Sequence, residues 1–129
     1  MARDGAWLLD CTPEPQTRVV WCQVGVRLDS LTPPYRLQFN YVRDTHMFFA
    51  VGSPAFARVS ATVDGQPAFY LERCLGGMCL LKGEPAERLL KQACEGRTLT
   101  LKFEGRNLPE SFQVPLAGFE PLYRRAVGK

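Results

Sequence analysis

The sequence lacks the residue patterns of the common catalytic classes. It contains a single histidine, His46, whereas nucleophilic catalysis needs a base beside the nucleophile. The Gly52-Ser53-Pro54 segment does not match the Gly-x-Ser-x-Gly pattern of a nucleophile elbow. No glycine-rich phosphate loop precedes a predicted helix. We therefore predict that the protein is not an enzyme and that it needs no cofactor.

Long apolar runs and a concentration of one charge are also absent. No apolar run approaches the ~20 residues that span a bilayer, so no transmembrane segment is expected. The net charge is only +3, and the basic residues are interleaved with acids. A nucleic-acid-binding domain normally carries a denser basic stripe, so no nucleic-acid partner is expected. The length of 129 residues fits one globular domain, residues 1–129.

The dominant pattern that is present is strand periodicity. Leu37, Phe39 and Tyr41 alternate with polar neighbours, and residues 58–63 and 98–104 alternate in the same way. Such alternation makes one face of a strand apolar and the other polar, as in antiparallel sandwiches. The sequence therefore predicts an all-β antiparallel β-sandwich of about eight strands.

Three local signals add detail to this prediction. Asp64-Gly65 suits the positive φ angles of a tight hairpin turn. Residues 84–94 predict a short helix, because Pro85 stands in the first turn and Gly96 follows the end. Its apolar stripe consists of Ala86, Leu89, Leu90 and Ala93. Residues 119–127 predict a second helical segment.

Five cysteines are the most informative residues of the chain. Cys11 and Cys22 form one close pair, and Cys74 and Cys79 form another, in strand-like sequence with no histidine beside them. This pattern is typical of disulfides in exported domains. Proximity favours Cys11–Cys22 and Cys74–Cys79, while other pairings remain open.

The cysteine pattern also bears on location. We expect a periplasmic or secreted protein, since disulfides persist in oxidising compartments. The first residues lack the apolar core of a signal peptide. An export leader is therefore expected to lie outside this sequence, and a cytosolic protein is the alternative.

Metal binding and redox catalysis are the competing interpretations of the cysteines. The Cys-x₁₀-Cys and Cys-x₄-Cys spacings match neither zinc knuckles nor a two-residue redox pair. No metal site is predicted, although His46, Met47, Met78 and Cys79 would form a copper site if their two distant segments met. A small periplasmic redox or copper-handling protein is the alternative function. Cys94 is expected to be a buried thiol, with a bond to another chain as the alternative.

The clearest indication of function is an apolar segment. Residues 47–51 do not alternate, so both faces of this strand would be hydrophobic. Either it is a central strand covered on both sides, or it is an edge strand that binds a partner. The candidate partner surface, for a protein of the envelope or cell surface, consists of Met47, Phe48, Phe49 and Phe56. An acyl- or sugar-binding sandwich is a third interpretation, and it needs a deep apolar pocket lined by Phe48, Phe56 and Phe69.

Several of these features occur in an order shared with a known family. They are Trp7 before Cys11, Cys22 in a strand, the Asp64-Gly65 hairpin, the segment from Tyr70 through Cys74 to Cys79, the Leu-rich helix and the ending Val114–Phe119. In this order they resemble the invasion-associated locus B family of proteobacterial exported proteins. The resemblance implies an immunoglobulin-like β-sandwich and a periplasmic or envelope location, and it supplies no catalytic residues. The sequence departs from the family at residues 48–58. We therefore predict a non-catalytic exported binding or envelope-support protein.

Overall fold

The computed structural model describes residues 2–30, 35–53, 56–72, 74–75, 77–105 and 110–128. The strands in these residues are β1 (Ala2–Asp4), β2 (Trp7–Pro13), β3 (Val20–Arg27), β4 (Arg36–Val42), β5 (Met47–Ser53), β6 (Arg58–Val63), β7 (Phe69–Leu71), β8 (Met78–Leu81), β9 (Thr98–Glu104) and β10 (Glu110–Pro115). The helices are a 3-10 turn at Leu28–Ser30, α1 (Glu84–Glu95) and α2 (Phe119–Val127).

The strands form two antiparallel sheets. The six-stranded sheet has the order β1-β2-β3-β4-β5-β8, and the four-stranded sheet has the order β10-β9-β6-β7. Strands β1 to β5 follow one another as a meander, after which the chain crosses between the sheets. The predicted antiparallel sandwich with short helices is confirmed. The described residues contain ten strands rather than about eight. β1, of three residues, is too short to show a period of two, whereas β7 is the strand into which the predicted Asp64-Gly65 hairpin leads.

Alternation places the apolar side chains of β4 and β9 on the inner faces of their sheets. In β4, Leu37, Phe39 and Tyr41 are at most 3% exposed, and β9 buries every second residue in the same way. The buried side chains of both sheets and both helices form one contiguous cluster. Asn40 departs from the pattern, because it lies on the outer face of β4 and is nevertheless only 6% exposed.

Both predicted helices are present. α1 has Pro85 in its first turn and ends one residue beyond the predicted segment. The buried helical residues are Ala86, Leu89 and Ala93 in α1 and Phe119, Leu122 and Ala126 in α2. Trp7 joins α2 to the six-stranded sheet, since its ring centroid lies 4.9 Å from that of Phe119. The indole N–H of Trp7 also donates to the carbonyl of Pro115 at 2.8 Å.

The predicted Asp64-Gly65 hairpin connects β6 to β7. The φ angles of Asp64 and Gly65 are 51° and 73°, which is the left-handed conformation that a type I′ turn requires. The carboxylate of Asp64 also accepts the backbone N–H groups of Arg97 and Thr98, each at 3.0 Å. The turn residue therefore fixes the start of β9, the other neighbour of β6.

Candidate binding surfaces of the six-stranded sheet

The Cys11–Cys22 disulfide links β2 to β3. The two residues lie directly opposite each other in the register, with their Cα atoms 4.1 Å apart. The N–H of Cys22 donates to the carboxylate of Asp44 at 2.9 Å, and its carbonyl accepts the N–H of Arg43 at 2.9 Å. Because both polar groups of Cys22 point away from β2, the pair occupies a non-hydrogen-bonded position, where facing side chains are closest. The predicted pairing is confirmed.

The Cys74–Cys79 disulfide closes the connection between the two sheets. Cys79 is a buried residue of β8 in the six-stranded sheet, and Cys74 lies in the connection that follows β7. Glu72 and Leu80 form a backbone bridge beside it, with two hydrogen bonds of 2.9 Å. This second predicted pairing is also confirmed, and it fixes β8 against the end of β7.

The residues of the copper alternative do not come together. Cys79 is bonded to Cys74 and faces the core. Met47 lies opposite Val42, whereas Met78 lies opposite Val51, four residues further along β5. At ~3.3 Å per strand residue, the two methionines are therefore separated by roughly 13 Å along the sheet. No group of three or more His, Cys, Asp or Glu side chains in the described residues is arranged to hold a metal ion.

Cys94 is the free thiol of the structure and is partly buried. It lines a depression of about 360 Å³ between α1 and α2, together with Tyr123 and Val127. Burial raises the pKa of Cys94 to about 11, and the neighbouring Glu120 carboxylate adds to the effect. Since the thiolate is the nucleophile, this thiol is poorly reactive at neutral pH.

Alkylation of Cys94 by iodoacetamide is expected to be slow. A pKa raised from 9.0 to about 11 lowers the thiolate fraction near neutral pH about 100-fold relative to an ordinary thiol. Intact-mass measurements over time should show one slow addition in the native protein, with a rate that rises as the pH approaches this pKa. The denatured protein is the control and should react at the ordinary rate. Rapid labelling of the native protein, or a reducible dimer, would show that the thiol is accessible and reactive.

The structure corrects the predicted partner surface. Phe48 and Phe56 are buried in the core, with 1% and 4% of their surface exposed, so they do not face a partner. β5 lies between β4 and β8, and its pleat sends alternate side chains to opposite faces whatever their polarity. Of the predicted set, Met47 and Phe49 lie on the outer face. The three residues proposed to line an apolar pocket, Phe48, Phe56 and Phe69, instead fill the core.

Apolar side chains nevertheless lie side by side on the outer face of β5 and β8. This apolar strip consists of Met47, Phe49, Val51, Met78 and Leu80. The register places Phe49 beside Leu80, and Val51 beside Met78. Met78 is 40% exposed, and the other four side chains are partly exposed. A contiguous group of accessible apolar side chains is typical of a surface that binds a partner.

The outer face of β2, β3 and β4 is polar and holds a cleft of about 200 Å³. The residues of this polar cleft are Leu8, Asp10, Gln23, Gly25, Arg27, Gln38 and Asn40. Gly25 lies between Leu8 of β2 and Asn40 of β4 in the register. Because glycine has no side chain, the backbone of β3 forms the bottom of the cleft at this position. A Cβ atom at Gly25 would lie 1.7 Å from the Oδ1 of Asn40. The close approach of Asn40 to this backbone therefore requires glycine.

Asn40 is not among the site residues predicted from the sequence, because it follows the ordinary alternation of β4. Its Nδ2 is buried and has no hydrogen-bond acceptor among the residues that the structure describes. A glycine within a strand often marks a point where another group approaches the backbone closely. Gly25 was therefore the available signal, but the sequence does not show which residue it faces.

Comparisons with models of protein families, with curated proteins and with solved structures return no match. Within the described ranges, neither helix has the length and apolar character needed to cross a membrane.

Proposed function

We propose that this protein is a non-catalytic, exported binding module that uses the apolar strip to dock a protein of the envelope or cell surface. The two disulfides suit a periplasmic or secreted protein, since such bonds persist outside the reducing cytosol. The resemblance to the invasion-associated locus B family is in keeping with this location.

The apolar strip is the observation that carries the binding proposal. Met78 stands on β8 with 40% of its surface exposed, and Phe49 and Val51 lie beside β8 on the same face. Burying a fully exposed side chain of this size contributes ~1.5–3 kcal/mol, and covering the part of each strip residue that is still exposed contributes a fraction of that value. The outer face of the four-stranded sheet, in contrast, presents mainly polar residues from β6, β9 and β10. The apolar strip is therefore the better docking surface of the two.

The surroundings of His46 support the non-catalytic part of the proposal. Its Nδ1 lies 3.4 Å from the hydroxyl of Tyr41. Burial raises the pKa of Tyr41 to about 12, with a smaller contribution from Tyr123. The phenol is therefore a weaker acid than an ordinary tyrosine, and its pKa lies far from neutral pH, so the arrangement fits a packing role better than proton transfer.

The substitution Met78→Glu tests the docking surface. Immobilised protein is expected to retain a defined partner from an envelope extract of its source cells, and Met78→Glu should weaken that interaction about 10–100-fold. Gln113→Glu is the matched control, because it adds the same charge at an exposed position of an edge strand in the other sheet. Its binding, measured by titration with the retained partner, should equal that of the wild type.

Two results would contradict this proposal. Equal binding by Met78→Glu and the wild type would remove the apolar strip as the docking surface. Protein recovered from its native compartment with all five cysteines as free thiols would contradict export.

A further inference from the structure

The polar cleft is the middle of a longer groove across the outer face of the six-stranded sheet. Towards β1 it meets a depression of about 260 Å³, which shares Leu8 and Arg27 with it. Towards the start of β3 it meets a depression of about 140 Å³, which shares Asp10 and Gln23 and ends at Trp21. Trp21 and Arg27 are six residues apart in β3, which corresponds to ~20 Å. Together the three depressions reach the ~300–1,000 Å³ typical of ligand clefts.

Asn40 gives the cleft a hydrogen-bond donor that the described residues leave without an acceptor. The residue is 6% exposed, and its Nδ2 has no acceptor within the described part of the chain. A buried donor without a partner destabilises a fold, so such groups in native proteins call for an explanation. An oxygen atom of a bound ligand, reached by a small rotation of the amide, would supply the missing acceptor.

The charges around the groove balance each other. Arg3 and Arg27 are matched by Asp10 and Asp29, and the guanidinium of Arg27 lies 3.2 Å from the carboxylate of Asp29. An anionic ligand such as a nucleic acid or a phosphate ester would be favoured by an excess of positive charge. The balance therefore favours a neutral ligand.

The uncharged groups of the groove are suited to hydroxyl groups. Gln23, Gln38 and Asn40 present side-chain amides, and each amide group has both donor and acceptor atoms. Trp21, at the end of the groove, is 41% exposed, and its indole N–H points to the carboxylate of Glu14 at 3.4 Å. An indole ring that is held at one edge offers a flat apolar surface beside these polar groups.

We propose that this groove binds a neutral oligosaccharide, with hydroxyl groups hydrogen-bonded to the amides and one sugar ring stacked on Trp21. The groove borders the apolar strip, since Asn40 lies opposite Phe49 in the register, but the two share no residue. The groove proposal therefore does not depend on the proposed protein partner. It also differs from the apolar pocket considered from the sequence, because the residues of that pocket are in the core.

Titration of the full chain with maltotetraose, cellotetraose and tetra-N-acetylchitotetraose, all of which are neutral, tests the proposal. At least one of these probes should shift the backbone amide NMR signals of β2, β3 and β4 in a saturable way and leave those of β9 and β10 unchanged. Gln38→Ala and Trp21→Ala should each weaken binding about tenfold, by loss of a hydrogen bond and of a stacking surface. Gln113→Ala, at an exposed strand position of the other sheet, is the control and should bind as the wild type does.

The NMR titration of the wild-type protein tests the proposal even if a variant fails to fold. The proposal is overturned if none of the three probes produces saturable shifts in β2 to β4, or if the shifts lie elsewhere. It is also overturned if folded Gln38→Ala and Trp21→Ala bind with unchanged affinity. Preferential binding of a sulfated tetrasaccharide, included as an anionic probe, would show that the ligand class is wrong.

Discussion

Removal of both disulfides is expected to lower the free energy of unfolding by about 5 kcal/mol. The bonds join residues separated by 11 and 5 positions, and each restricts the unfolded chain by roughly 2–3 kcal/mol in the loop-entropy model. For a domain of this size the expected decrease in the melting temperature is roughly 20 °C. Cys11→Ala/Cys22→Ala should account for slightly more of the loss than Cys74→Ala/Cys79→Ala, because its loop is longer. Calorimetry of the two double variants and the quadruple variant provides the measurement.

Cys94→Ala is the matched control for the disulfide variants. It removes a partly buried cysteine that is not bonded, and it is expected to change the stability by at most about 1 kcal/mol. If the quadruple variant melted within about 3 °C of the wild type, the disulfides would not be the main source of stability.

Arg43→Ala is expected to lower the free energy of unfolding by about 2–3 kcal/mol. The guanidinium donates to the carbonyl of Ala126 at 2.6 Å, to that of Val20 at 2.7 Å and to the carboxylate of Asp44 at 2.8 Å. It therefore ties the end of α2 to the start of β3, and only 17% of the side chain is exposed. Its removal leaves Asp44 without its cation and the carbonyls of Ala126 and Val20 without this donor. Chemical denaturation measures the loss.

A lysine at the same position separates charge from geometry. Arg43→Lys keeps the charge but has no planar fork of donors, so it should recover only part of the lost stability. Arg125→Ala, an exposed position of α2, is the control and should stay within about 0.5 kcal/mol of the wild type. If Arg43→Lys were as stable as the wild type, the positive charge alone would account for the stabilisation by Arg43.

Because Arg43 and Asp44 form an ion pair, the destabilisation caused by Arg43→Ala is expected to depend on pH. The hydrogen bond from Arg43, aided by the N–H of Cys22, holds the pKa of Asp44 below its ordinary value. A lowered pKa in the folded state means that the carboxylate contributes its stability above the ordinary value of about 3.9. That contribution is lost as the pH falls through the lower pKa of the folded state. The difference in the free energy of unfolding between the wild type and Arg43→Ala should therefore become smaller at acidic pH.

Features that depend on neighbouring residues could be predicted from the sequence. The Asp64-Gly65 turn is specified by two residues that accept positive φ. The helix α1 is specified by the position of Pro85 and by its apolar stripe. The disulfide Cys74–Cys79 follows from proximity along the chain. In each case, conformational preference or chain connectivity limits the outcome to few alternatives.

The binding surfaces could not be predicted in the same way. An apolar run at residues 47–51 shows that both faces of β5 are apolar, but not which face is closed by the core. Phe48 was therefore assigned to a surface from which the pleat excludes it. The role of Arg43 also stayed hidden, because Val20 and Ala126 come near it only through the fold.

The sequence by itself determined a disulfide-bonded antiparallel sandwich with two short helices, because periodicity, turn residues and cysteine spacing act over short stretches of chain. Only the tertiary structure decided that Gly25 of β3 lies opposite Asn40 of the neighbouring β4 and that β8 brings Met78 beside β5. Strand register and sheet order depend on how all the core side chains pack together. Local sequence patterns therefore do not specify them.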